Sequence, residues 1–217
     1  MTPAQVLATI RAQIDESAEG FYTDNEIYAY IWQAEIEINN LCGCAETTDS
    51  STTTTAGTAE YSKPTDCLRI VRLLWDSNRM KKIDFRELEN NEGFTYGHTI
   101  AQSQPWAYYE YGANIGLYPT PNATKTIKFY YVQQPAQITD VSTAFTIPLD
   151  FHVLISDYCL YRMWGKDQEE TRSVNHKKLF DENLMRAVSS WTKRRNADRI
   201  MVVKDSEIYP ITDAGMI

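Results

Sequence analysis

The sequence predicts an α+β protein: an antiparallel four-helix bundle built from two terminal helix pairs, with an inserted small antiparallel β-sheet and an extended C-terminal tail. Apolar residues recur at helical spacing near both ends of the 217-residue chain, and β-branched and aromatic runs between turn residues fill its middle. Hydrophobic residues make up 43% of the chain, which is globular composition. The predicted units are a helix pair at 1–44, a β insertion at 45–146, a second helix pair at 147–199 and the tail at 200–217.

The first helix pair has sequence signals at its helix ends. Thr2-Pro3 places an N-cap before a proline at the first helical position, and Thr23 with Glu26 matches a capping box before a second amphipathic segment. Gly43 supplies a stop signal for that segment. Because both segments are amphipathic and closely linked, we expect them to pack as an antiparallel pair.

The sequence of the β insertion predicts a loop followed by one small sheet. Residues 45–60 open with the polar run AETTDSSTTTTAG, which has almost nothing to bury, and we expect a flexible loop or an exposed hairpin tip there. The run 68–75 reads as a strand in which Leu68 and Ile70 point inward and Arg69 and Arg72 point outward. Three aromatic-rich segments then form a predicted antiparallel meander: 106–111, 115–118 and 126–132.

The second helix pair follows the sheet. Pro148 opens a segment that is apolar nearly all round as far as Trp164, which is typical of a buried helix. After Gly165, an amphipathic helix begins with acidic residues at its positive end. The residues from 200 onward alternate loosely and have no partner in the sequence, so we expect an extended tail that docks on another molecule.

Charge and hydropathy exclude several classes of protein. Residues 1–159 carry 10 Lys and Arg against 20 Asp and Glu, whereas residues 160–205 carry 11 against 7. An acidic body is unsuited to gripping phosphates, so specific nucleic-acid binding is not expected. No apolar run approaches the roughly 18 to 20 residues that cross a bilayer, and the first residues lack the features of a signal peptide. We therefore expect folding in a cytosol and no membrane partner.

The sequence offers no catalytic or cofactor motif. The four cysteines are expected to be reduced, and the spacing of Cys42 and Cys44 does not suit zinc, so no metal site is predicted. Phosphate-binding glycine loops and the nucleophile elbow are absent. We predict no catalytic residue, no cofactor and no enzymatic activity. One alternative stays open at this point, a carbohydrate-binding or hydrolytic module that uses the aromatic sheet and a carboxylate pair.

A family resemblance is carried by short motifs in the middle and second half of the chain. They are Gly116-Leu-Tyr-Pro-Thr-Pro121, Thr126-Ile-Lys-Phe-Tyr-Tyr131, Ile147-Pro-Leu-Asp150 and the helix from Tyr158 to Trp164. This arrangement resembles the head-to-tail adaptor proteins of tailed bacteriophages, also called connector or tail tubular A-like proteins. With the opening helix pair, the resemblance covers most of residues 1–200.

The resemblance implies a structural role in the virion. Such proteins form a ring, commonly of twelve copies, that joins the portal to the tail or nozzle and lines the channel for DNA ejection. The genome would pass without specific binding, and the protein would lie in the neck of the virion after assembly in the host cytoplasm. A neck or tail-completion protein at another level of the same machine follows the same logic and stays open.

Two sets of residues are the predicted contacts of such an adaptor. The tail is expected to dock on the portal protein through Ile200, Val202, Ile208, Tyr209 and Ile211. Aromatic residues are enriched at protein interfaces, so the tyrosines of the sheet are the predicted contacts between copies. They are Tyr109, Tyr111, Tyr118 and Tyr130. The remaining predicted partners are the tail nozzle and other tail or neck proteins.

Overall fold

The computed structural model describes residues 1–16, 20–86 and 102–200, with the backbone alone for 195–200. These residues form four α-helices, a short 3-10 helix and eight strands. The helices are α1 (Pro3–Gln13), α2 (Asp24–Cys42), α3 (His152–Lys166) and α4 (Glu170–Ile200), and the 3-10 helix Leu149–Phe151 precedes α3.

The strands form two sheets of four. They are β1 (Glu46–Asp49), β2 (Glu60–Ser62), β3 (Cys67–Trp75), β4 (Asn78–Arg79), β5 (Lys81–Lys82), β6 (Ala107–Tyr111), β7 (Asn114–Tyr118) and β8 (Ile127–Gln133). The first sheet has the order β1-β8-β3-β4, and the second has the order β2-β7-β6-β5. All neighbours are antiparallel except β5 and β6, which are parallel.

The predicted fold class, a four-helix bundle with one small sheet, is wrong. The described residues form two four-stranded sheets beside the helices. One buried cluster takes Leu73 and Phe129 from the first sheet and Ile115 and Leu117 from the second, so the sheets pack face to face. Each sheet thereby buries one face against the other, which a single small sheet could not do.

The predicted meander is wrong in its third strand. Strands β6 and β7 form the expected hairpin, with Tyr109 opposite Gly116. Strand β8 instead joins the first sheet, where it pairs with β1 on one side and β3 on the other. All three aromatic runs have β-forming composition, but composition does not specify which strand pairs with which.

The predicted flexible loop contains a strand. In β1, Glu46 pairs with Val132 and Asp49 pairs with Phe129, which places this polar segment at the edge of the first sheet. Farther along, Thr54 is fully buried, and its hydroxyl accepts the indole N–H of Trp75 at 3.2 Å. An edge strand leaves much of its surface exposed, so a run without apolar residues is compatible with it.

Two β-bulges change the inward alternation expected in β3. The register shifts between Cys67 and Arg69 and again between Ile70 and Arg72. A bulge inserts one unpaired residue and moves the following side chains to the other face. The predicted inward position of Leu68 is therefore wrong, since this residue is 51% exposed, whereas Ile70 is buried as expected.

The predicted N-caps at Thr2 and Thr23 and the predicted stop at Gly43 are confirmed. Thr2 and Gln5 form a capping box at α1, and the Thr23 hydroxyl accepts the backbone N–H of Glu26 at the start of α2. Gly43 ends α2 in the left-handed conformation, with a φ of 56°. The four helices share one buried cluster, which includes Ile10, Ile31, Ile155 and Phe180.

The cysteines differ from expectation at one pair. A disulfide joins Cys42 and Cys44 across the turn at Gly43, where their Cα atoms lie 5.2 Å apart, so the prediction of reduced thiols is wrong for this pair. Cys67 and Cys159 are free. In the described ranges there is no group of three or more potential metal ligands, and no helix is long and apolar enough to cross a membrane.

Candidate functional site

Three of the four predicted interface tyrosines lie on the outer face of the second sheet. Side chains alternate along a strand, and Tyr108 points into the core between the sheets. Tyr109 and Tyr111 therefore face outward, and Tyr118 lies on the same face of the neighbouring strand β7. Tyr130 belongs to β8 of the first sheet, so the four tyrosines do not form one continuous surface.

Tyr109 packs within its own subunit. It is only 6% exposed, and its ring centroid lies 5.1 Å from that of Phe85. A Cβ atom built on Gly116 would come within 1.9 Å of the ring carbon Cζ of Tyr109. The ring therefore covers the bare backbone of Gly116, and a glycine is required there by this close approach.

Three aromatic residues in and next to the β6–β7 hairpin are exposed or partly exposed to solvent. Tyr111 is 69% exposed at the end of β6. Tyr118 packs edge-to-face on Trp106, with ring centroids 5.9 Å apart, and Trp106 is itself half exposed. We call these three residues the aromatic surface. Large rings with a polar edge are enriched in protein interfaces, so this surface suits contact with another protein.

The outer face of the first sheet carries a net positive charge, because the register places one carboxylate there, Glu46 opposite Val132, beside four cations. The strand register places Arg72 opposite Tyr130, and Leu74 lies between Arg79 and Lys128. Arg69 pairs with Val132 on the same sheet. We call the four cationic residues the basic face; they are Arg69, Arg72, Arg79 and Lys128. No ion pair among the described residues includes any of them, although Lys128 lies over the ring of Tyr130.

Apolar side chains lie among these cations. Leu41, Leu68 and Val71 are each about half exposed. The two leucines line a groove of about 370 Å³ beside Arg69. Val71 and Tyr130 line a second groove of about 310 Å³, whose wall also includes Arg72 and Glu46. A surface that mixes exposed apolar groups with unpaired cations suits a protein partner that offers apolar contact and negative charge.

Acidic residues lie together at the end of the helices that is far from the basic face. The turn between α3 and α4 exposes Asp167, Glu169 and Glu170, and Asp15 is exposed just after α1. We call these four residues the acidic tip. None of them belongs to an ion pair in the part of the chain that the structure describes.

Contacts between helix ends locate this tip. The Arg11 guanidinium at the end of α1 binds the carboxylate of Asp24 at the start of α2, at 2.5 Å. Lys166 at the end of α3 binds Glu26 at 2.7 Å. Burial, followed by the negative charge of Asp167, raises the pKa of the Tyr22 hydroxyl to about 12. The ends of three helices therefore meet where the carboxylates accumulate.

A buried carboxylate ties α2 to the segment that leads into the 3-10 helix. Glu35 is fully buried, and its Oε1 accepts the backbone N–H groups of Thr146 at 2.8 Å and Ile147 at 3.3 Å. Its Oε2 has no hydrogen-bond partner among the described residues. Burial raises the pKa of this carboxyl to about 7. Its contacts are internal, so its role is to hold the helical core together.

A family model described as SU10 adaptor protein matches residues 1–203. The chain belongs to this phage head-to-tail adaptor family. The resemblance found in the sequence is thereby confirmed. No curated protein matches the sequence. Membership makes the chain a structural phage protein of the head-tail junction that binds other phage head or tail proteins.

The predicted docking tail of this adaptor lies almost wholly outside the described residues. Ile200 is the last residue of α4, and only its backbone is described. The docking of this segment stays a prediction. The other four tail residues fall beyond the described ranges: Val202, Ile208, Tyr209 and Ile211.

The basic face of the adaptor was only partly visible in its sequence. The strand pattern already marked Arg69 and Arg72 as outward. Arg79 and Lys128 are 49 residues apart in the sequence, and they share a face only because both flank Leu74 in the sheet. The signal that could have found them is strand pairing, which the local sequence of either strand does not contain.

Proposed function

We propose that this adaptor forms a homo-oligomeric ring that joins the portal to the tail nozzle or other neck proteins and lines the channel for DNA ejection. The observation that carries the proposal is the family match over residues 1–203. A ring adds a geometric demand, because a heterologous interface needs two different faces on every subunit. The aromatic surface, the basic face and the acidic tip are chemically different from one another, which supports this arrangement.

The charge of the chain supports a role beside moving DNA. Its formal net charge is −8, and an acidic channel wall repels phosphate groups. DNA would then slide past without adhering, since retention depends on neutralising phosphates with Lys and Arg. In the ring, the basic face would accordingly point away from the channel.

The portal contact is proposed to come from residues 200–217. Ile200, Val202, Ile208 and Ile211 supply apolar contacts, and Tyr209 adds a ring with a polar edge. A segment of this kind binds by adding a strand to a sheet or by filling an apolar groove. In this proposal the segment gains order on binding, and the conformational entropy that this costs would keep the contact reversible during assembly.

Deleting residues 201–217 is expected to weaken portal binding at least tenfold, about 1.4 kcal/mol. The fold should persist, because both buried clusters are built from residues before position 192. Co-sedimentation with the portal of the same phage measures the binding, and the thermal unfolding curve checks the fold. A full-length Asp213→Asn variant is the matched control. Full portal binding by the deleted chain would contradict the proposal.

A further inference from the structure

The basic face and the acidic tip carry opposite charges, and no ion pair among the described residues includes any of their eight charged side chains. The basic face carries four cationic side chains, and the acidic tip carries four carboxylates. We propose that the acidic tip of one copy docks on the basic face of the next, and that this pair of surfaces forms a contact between neighbouring subunits. This contact depends on the proposed ring, in which it would join each subunit to the next.

One molecule cannot bring its own two surfaces together, because α2 separates them. The Asp24 end of α2 lies at the acidic tip, where Arg11 binds it. Its other end lies at the basic face, since a Cβ atom on Gly43 would come within 2.6 Å of Nη2 of Arg69. Nineteen helical residues with a rise of about 1.5 Å each keep the two ends about 28 Å apart. The surfaces can therefore meet only between molecules.

Both surfaces also offer apolar contact, which charge alone does not supply. Phe21 is 56% exposed at the acidic tip, and the Lys166 ammonium lies 4.6 Å from its ring centroid. The basic face exposes Leu68 and Val71 among its cations. Interfaces commonly bury an apolar centre inside a charged rim, and the rim selects the partner and the orientation.

A second copy suits the basic face better than nucleic acid does. A duplex would be attracted by the four cations but repelled by a chain with a net charge of −8. Phosphates also offer nothing to the exposed side chains of Leu68 and Val71. The acidic tip supplies both negative charge and an exposed ring, so the chain itself carries the matching chemistry.

A charge-swap experiment tests the contact. Variant A carries Arg69→Glu and Arg72→Glu, and variant B carries Glu169→Lys and Glu170→Lys. Each variant alone should lose self-association at least tenfold, because like charges then face each other. A mixture of A and B should recover self-association in copies that alternate. The reversed face of A then meets the reversed tip of B, and the natural tip of A meets the natural face of B. Native mass spectrometry counts the copies, both free and bound to the portal.

Controls separate this contact from folding defects. Lys178→Glu reverses an exposed cation on α4 outside both surfaces and should leave assembly unchanged. A second basic-face variant, with Arg79→Glu and Lys128→Glu, should behave like A and leaves the packing of Arg69 on Gly43 intact. Thermal unfolding curves establish that each variant is folded.

The outcomes distinguish this contact from the ring itself. Normal assembly of folded A and B would overturn the contact and leave the ring standing. Impaired variants whose mixture fails to recover would also overturn it. Retention of duplex DNA by the natural chain, lost in A while assembly persists, would assign the basic face to phosphate instead. A natural chain that never binds the portal in several copies would overturn the proposed function, and this contact with it.

Discussion

Replacing Gly116 by alanine is expected to lower the free energy of unfolding by about 3 kcal/mol. The new Cβ atom would lie 1.9 Å from Cζ of Tyr109, far inside van der Waals contact. The Tyr109 ring is 6% exposed and packs on Phe85, so it has little room to move. The ring or the hairpin backbone must shift, and buried contacts are lost in either case. Urea unfolding followed by tryptophan fluorescence measures the change.

Two further variants make the Gly116 prediction specific. Gly165→Ala is the matched control, because its Cβ atom would meet nothing closer than Ser173 Oγ at 3.5 Å, so little change or slight stabilisation is expected. Adding Tyr109→Ala to Gly116→Ala should cost less than the sum of the two single changes, since the colliding ring is gone. Strict additivity, or a harmless Gly116→Ala change, would show that the ring does not lie where the structure places it.

Replacing Glu35 by glutamine is expected to remove a pH-dependent loss of stability of about 3 kcal/mol. Burial raises the pKa of this carboxyl from 4.5 to about 7, so the folded state holds the proton more tightly than the unfolded state. The contribution of the Glu35 carboxyl to the free energy of unfolding is fully present below pH 4.5 and is lost as the pH rises to 7. Unfolding free energies of the natural and Glu35→Gln chains at pH 4.5 and pH 8 measure the difference.

A neighbouring glutamate provides the control for this measurement. Glu37 lies two residues away on α2 but is exposed to solvent, so Glu37→Gln should leave the pH dependence close to that of the natural chain. The glutamine at position 35 can still accept the N–H groups of Thr146 and Ile147 through its amide oxygen. Equal pH dependence in the natural and Glu35→Gln chains would show that this carboxyl ionises freely in the folded state.

The helices were predictable because their signals are local. Thr2, Thr23 and Gly43 each act on backbone groups within a few residues, so the sequence around them is enough to place the helix ends. The stripe of buried residues on a helix depends equally on short spacing. The exposed position of Leu41 was not predictable in this way, because whether the last turn of α2 is covered depends on the sheet beside it.

The two-sheet arrangement was not predictable because it depends on distant pairing. Strand β1 is polar, and it joins the sheet only by pairing with β8, whose partner residues lie 80 to 86 positions away in the sequence. The bulges of β3 moved Leu68 and Val71 to the outer face, and no local pattern announces a bulge. The candidate surfaces also depend on strand pairing. Tyr130 lies in an aromatic run like those of Tyr109, Tyr111 and Tyr118, but its strand belongs to the other sheet.

The mass of the complex formed with the portal ring of the same phage tests the central claim most directly. Native mass spectrometry of the purified 25.0 kDa chain with that portal should show several copies closed into one ring on each portal. The same assembly should withstand a glycan mixture without change, since no saccharide is part of it. A chain that stays a 25.0 kDa monomer beside the portal would contradict the ring-adaptor account.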